Sequence, residues 1–125
     1  MTPADEIRTA AAKLRTLAAA TSTDTDGTPT THWNSKDQGH GRSLLCGSYT
    51  TNGRGEQVGW PSLVRGGSFQ RPSYMHTQHA DYAAAMDPTV GLLLADLLDD
   101  MADGDDAGEI NPWALTLARE LNAKP

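Results

Sequence analysis

His76-Thr-Gln-His79-Ala-Asp81 is the densest run of metal-binding side chains in the sequence. Two imidazoles three residues apart share a face if the segment is helical, and Asp81 or Asp87 could add an oxygen ligand. A zinc or manganese ion held there would make the chain a metal-binding protein or a small metal-dependent hydrolase. The plainer alternative is that histidines beside a helix start cap it or face solvent, and no His-Glu-x-x-His motif accompanies the pair. His40, in Gln38-Gly-His-Gly-Arg42, stands between two glycines and could form a Cys–His nucleophilic pair with Cys46. Such a pair needs a third orienting group and an oxyanion hole, and neither is visible. Cys46 is the single cysteine, which excludes an intrachain disulfide and a cysteine-based zinc site. Beside Leu44 and Leu45 it reads as a small buried hydrophobe.

Other candidate chemistry is thinner. The acidic loop Asp103-Gly-Asp-Asp-Ala-Gly-Glu109 resembles a calcium loop until its register is tested. Starting at Asp103 or at Asp99 puts Ala114 or Ile110 where a bidentate glutamate is required, so both registers fail. Gly53-Arg54-Gly55 and Arg65-Gly66-Gly67-Ser68 lack the spacing of a phosphate loop and read as turn glycines. Trp33, Trp60 and Trp113 stand out in a chain with seven aromatic residues, and each is expected at the margin of a small core. Exposed together, they would mark a partner-binding surface. Trp33, Trp60, Arg54, Asp99, Asp100 and Asp103 are therefore the candidate protein-binding residues.

The elements that must position these groups are legible from spacing. Thr2-Pro3-Ala4-Asp5-Glu6 opens a helix with a capping hydroxyl, proline at its first position and acids facing the positive end. Ile7, Ala10, Ala11, Leu14, Leu17 and Ala18 continue it to about Ala20, with Arg8, Lys13 and Arg15 on the other side. Asp87-Pro88 starts the best-determined helix, in which Val90, Leu93, Leu94, Leu97, Leu98 and Met101 form one apolar face and Gly104 closes the end. That face is expected to be core. Asn111-Pro112 opens a last helix with Ala114, Leu117, Ala118 and Leu121 inward, and a short helix is expected over Gln78 to Met86. Thr21 to Thr31 reads as a solvated loop. Asn52-Gly-Arg-Gly55 between Ser43–Thr51 and Gln57–Val64 signals a β-hairpin, with Pro61 restricting the second strand to an edge or ending it early. His32-Trp33-Asn34 is a candidate third strand, followed by a polar loop Ser35–Arg42. Arg65–Ser68 reads as a turn and Phe69 to Met75 as irregular or briefly extended.

At 125 residues the chain fits one small domain: a helix over 1–20, a loop over 21–31, a sheet and irregular region over 32–75, and a helical region over 76–125. The expected class is α+β, with the N-terminal helix and two or three C-terminal helices packed on a two- or three-stranded antiparallel sheet. The net charge of −6 is polarised: residues 30–78 carry +3 and residues 79–125 carry −8. An acidic balance gives no general affinity for nucleic acid or anionic membrane. No apolar run approaches a membrane-spanning length and the N-terminus lacks a signal-peptide pattern, so the cytoplasm is the expected compartment.

The segment Tyr82-Ala-Ala-Ala-Met-Asp-Pro-Thr-Val-Gly-Leu-Leu-Leu-Ala-Asp-Leu-Leu-Asp99 resembles a group of small proteins of actinobacteria and their phages. Trp113-Ala-Leu-Thr-Leu-Ala-Arg-Glu-Leu121 and Asp5-Glu-Ile-Arg-Thr-Ala-Ala-Ala-Lys-Leu-Arg15 are similar to theirs as well, whereas Thr21 to Met75 departs from them. The resemblance implies an intracellular, phage- or prophage-type accessory protein, and it carries over no catalytic residue. No catalytic constellation survives, so the leading expectation is a non-enzyme without cofactor that binds a host or phage protein or associates with itself. The alternatives are the His76/His79 metal protein and an acidic DNA mimic in which Asp96, Asp99, Asp100, Asp103, Asp105 and Asp106 imitate phosphates.

Overall fold

The computed structural model describes residues 1–24, 26–67 and 73–125, without the side chains of residues 49–51 and 57. The fold is α+β, and the described residues form four helices and a four-stranded antiparallel sheet: α1 (Pro3–Ala20), β1 (Asn34–Asp37), β2 (Arg42–Thr51), β3 (Gln57–Ser62), β4 (Met75–His76), α2 (Thr77–Ala85), α3 (Pro88–Ala102) and α4 (Pro112–Ala123). Ser68, the last residue of the turn expected over Arg65–Ser68, and residues 69–72 of the stretch expected over Phe69 to Met75 lie outside the described residues. The chain forms two compact units, Met1–Ala20 with Val90–Pro125, and Thr21–Thr89.

The first unit consists of helices. Thr2 and Asp5 exchange hydrogen bonds across the first turn of α1, at 3.1 and 3.2 Å. Bonding to Thr2 holds the Asp5 carboxyl below its usual range. Asn111 caps α4 by accepting from the backbone N–H of Trp113 and Ala114. The core joins Ile7, Ala10 and Ala11 to Ala95, Leu98 and Ala102 and to Ala114 and Ala118; all but Ile7 and Leu98 are alanines. Small side chains let the helix axes approach closely, so packing here rests on contact more than on area.

Basic residues on the outer side of α1 tie the helices together. Arg8 pairs with Asp103 at 3.1 Å, and Arg15 reaches Asp96 at 2.9 Å and Asp99 at 2.5 Å, so α1 and α3 run antiparallel. Glu6 receives Arg119 through both carboxylate oxygens, and its carbonyl accepts from Asn122. Lys13 donates to the carbonyls of Leu121 and Lys124, placing a cation on the negative end of α4.

In the second unit β2 is the central strand. β1 covers one edge, from Asn34↔Cys46 to Asp37↔Ser43. β3 pairs along the other edge from Cys46↔Ser62 to Thr51↔Gln57, and β4 takes Arg42 and Ser43. Residues 43–47 are all buried, so both faces of β2 are covered and its apolar residues do not alternate. The hairpin expected at Asn52-Gly is present. Asn52 Oδ1 accepts from the N–H groups of Arg54 and Glu56, which builds a longer turn than a two-residue connection. β3 is an edge strand, the position a proline tolerates. The fourth strand, two residues long, falls at the end of the stretch read as irregular or briefly extended and makes the sheet one strand larger than expected.

One boundary differs from expectation for an identifiable reason. The first strand starts at Asn34 and runs into the expected polar loop. The backbone N–H of Trp33 is taken by the Asp87 carboxylate at 3.2 Å instead of a ladder partner. The described residues of the threonine-rich segment form a loop, as expected, and it is tied at its base. Thr23 bridges Pro29, and the buried Thr30 hydroxyl donates to the Thr21 carbonyl at 2.6 Å. α2 packs on β1 and β2, and its start is tied down where the Thr77 N–H donates to the Gly41 carbonyl at 2.9 Å.

Asp87 is a buried carboxylate that holds residues 31–33 against the start of α3 together with Thr89, whose N–H and hydroxyl both donate to the Thr31 carbonyl. Removing it strands a half-buried N–H. Asp87→Ala is expected to lower stability by about 1–3 kcal/mol, read from the midpoint of a urea denaturation curve.

Candidate functional site

The structure brings His76 and His79 together at one end of α2, with ring centroids 5.9 Å apart and the rings edge to face. Both are exposed. Asp81 does not join them. Residues 79 to 81 are helical, so Asp81 points about 200° round the axis from His79 and cannot share an ion with it. Among the described residues, no group of three or more His, Cys, Asp or Glu side chains is placed to hold a metal.

Cys46 and His40 are likewise separated. His40 sits in the β1–β2 turn between Gly39 and Gly41, all three at positive φ, and it is exposed. Cys46 lies four residues into β2, roughly 13 Å along an extended strand, and is 0% exposed. Burial pushes its thiol pKa up, opposite to what a nucleophile needs. The folded protein is expected to resist iodoacetamide at neutral pH and to be alkylated once unfolded in urea, as followed by mass spectrometry.

The acidic residues around the end of α3 do not form a free track. Asp96, Asp99 and Asp103 are in ion pairs with Arg15 and Arg8. Asp105 Oδ1 accepts from the N–H groups of Ala107 and Glu109 and so organises the loop it sits in. Asp100 is exposed. Of the residues expected to bind protein, Asp99 and Asp103 therefore link α1 to α3. Arg54 is exposed on the hairpin turn and Trp60 is exposed on β3. Trp33 is half-buried, its indole N–H donating to the Thr30 carbonyl at 2.8 Å, in keeping with a place at the core margin. Trp113, by contrast, is 80% exposed at the start of α4.

The feature that sequence reasoning missed is on α3 itself. Beyond its first residue, Pro88, its buried residues are Ala95, Leu98 and Ala102, flanked by Gly91, Leu94 and Met101. Leu93 is 64% exposed and Leu97 53% exposed, and Val90 is exposed above them. At 100° per residue the buried face is centred about a quarter turn from the centre of the leucine face. The reason is size. The unit packs through alanines, and a Cβ on Gly91 would come within 3.7 Å of the Ala18 Cβ, so the small-residue side of α3 faces inward. The displaced half of the apolar stripe, Val90–Leu93–Leu97 at i, i+3, i+7, points outward. Asp96 and Asp100 follow it round the helix.

No protein-family model, no curated protein and no solved structure matches this chain. Among the described residues no helix is long and apolar enough to cross a membrane.

Proposed function

We propose that this protein acts by binding another protein through the outward ridge Val90–Leu93–Leu97 of α3. The observation that carries the reading is the exposure of Leu93 and Leu97 on a well-packed helix. Scattered surface leucines are ordinary, but a row at helical spacing is the pattern by which a helix fills an apolar groove on a partner. Covering the surface that each leucine still exposes contributes about 1–2 kcal/mol of transfer free energy. The neighbouring Asp100, exposed on the same side of the helix, favours a groove rimmed by lysine or arginine. In this reading the protein is a phage- or prophage-type accessory protein in the cytoplasm, and its partner is a host or phage component.

The metal and DNA-mimic readings have less behind them: Asp81 faces away from His79, and three of the six candidate phosphate mimics are spent on arginines. The test is affinity capture from an actinobacterial lysate at low and high salt, beside sedimentation of the pure protein. One partner that weakens with salt is expected. A strictly monomeric protein that captures nothing at low salt would overturn the proposal.

A further inference from the structure

A cleft of about 540 Å³ opens within the Thr21–Thr89 unit, inside the size range of small-molecule sites. Trp33, Leu45 and Leu63 form its apolar wall, and Thr23, Asp24 and Arg65 line it with polar groups. The wall is fixed before any ligand arrives. The Trp33 indole is tied to the Thr30 carbonyl and its backbone to Asp87, Leu45 is buried in the central strand, and the Leu63 N–H donates to the Leu45 carbonyl at 2.9 Å. Arg65 is exposed and, among the described residues, makes no hydrogen bond or ion pair. A guanidinium on the same lining as an indole and two leucines matches a ligand that joins a planar anion to an apolar body. Asp24 on the same lining opposes a second negative charge.

We infer that this cleft binds a small monocarboxylate with an apolar or aromatic body. Arg65 receives the carboxylate through its paired N–H donors, and the body lies against Trp33, Leu45 and Leu63. The site uses none of the α3 ridge residues.

The experiment is an NMR titration of the full chain with phenylacetate, following the Trp33 indole N–H and the amides of Thr23, Leu63 and Arg65. Saturable shifts at those resonances are expected. Benzyl alcohol, which keeps the ring and lacks the charge, binds at least about tenfold more weakly, and Arg65→Ala weakens phenylacetate by a similar factor. Among the described residues Arg65 has no partner to lose, so this variant is expected to keep the fold, which its unchanged spectrum away from the cleft verifies. Absence of saturable shifts overturns the inference, as does equal phenylacetate binding by Arg65→Ala. Tighter binding of phenyl phosphate than of phenylacetate overturns the assignment to a monocarboxylate.

Discussion

Leu98→Ala is expected to destabilise the helical unit by about 2–5 kcal/mol, while Leu97→Ala changes its stability by no more than about 0.5 kcal/mol. The two leucines are neighbours in sequence, and hydrophobic periodicity places both on one face. In the fold Leu98 is 1% exposed, among the alanines of α1 and α4, and truncating it leaves a cavity that those small side chains cannot fill. Leu97 keeps half of its surface in water, so its removal takes away little contact. Urea denaturation followed by circular dichroism separates the two cases. Equal losses would mean that α3 is turned by its leucines and not by its alanines, and the outward ridge would not exist.

Gly104→Ala is expected to cost about 2–4 kcal/mol, measured in the same way. Gly104 ends α3 at a φ of +80°, its N–H donating to the Met101 carbonyl. An added Cβ would lie 2.9 Å from the Gly108 carbonyl carbon and 3.0 Å from its oxygen, which are backbone atoms and cannot swing aside. Gly108 supplies the control. It also has positive φ, at +78°, but a Cβ there meets nothing within 4 Å. Gly108→Ala should therefore show the conformational cost alone, about 1–2 kcal/mol. If both substitutions cost the same, the close approach between Gly104 and Gly108 contributes nothing.

The helices were legible because local devices announce them. Pro3, Pro88 and Pro112 stand at first helical positions in α1, α3 and α4, and Asn111 caps the last of these. The central hairpin was legible from Asn52-Gly53. The rotation of α3 was not, because a hydrophobic pattern ranks leucine above alanine, while the packed unit selects the side on which helices can approach. The roles of Arg8, Lys13 and Arg15 were hidden for a related reason: each meets a partner more than 80 residues away in the chain, at the far side of a fold that spacing does not specify. In the sequence Asp87 stands out only as the start of a helix and as a candidate oxygen ligand. Its bond to the Trp33 N–H, 54 residues distant, is what shortens β1. Among the candidate site residues, the 3-residue spacing did bring His76 and His79 together. The same helical geometry, applied to Asp81, turns it away.

The measurement that tests the account most directly is the affinity of the captured partner for the wild-type protein and for Leu93→Asp with Leu97→Asp, by titration calorimetry. Both side chains are largely in water, so the double variant is expected to unfold at the wild-type urea concentration. Placing two charges where the partner's groove must close should weaken binding by at least about a hundredfold, the effect of losing two anchoring side chains. An affinity equal to that of the wild type, from a variant with wild-type stability, would contradict the claim that the α3 ridge is the binding surface.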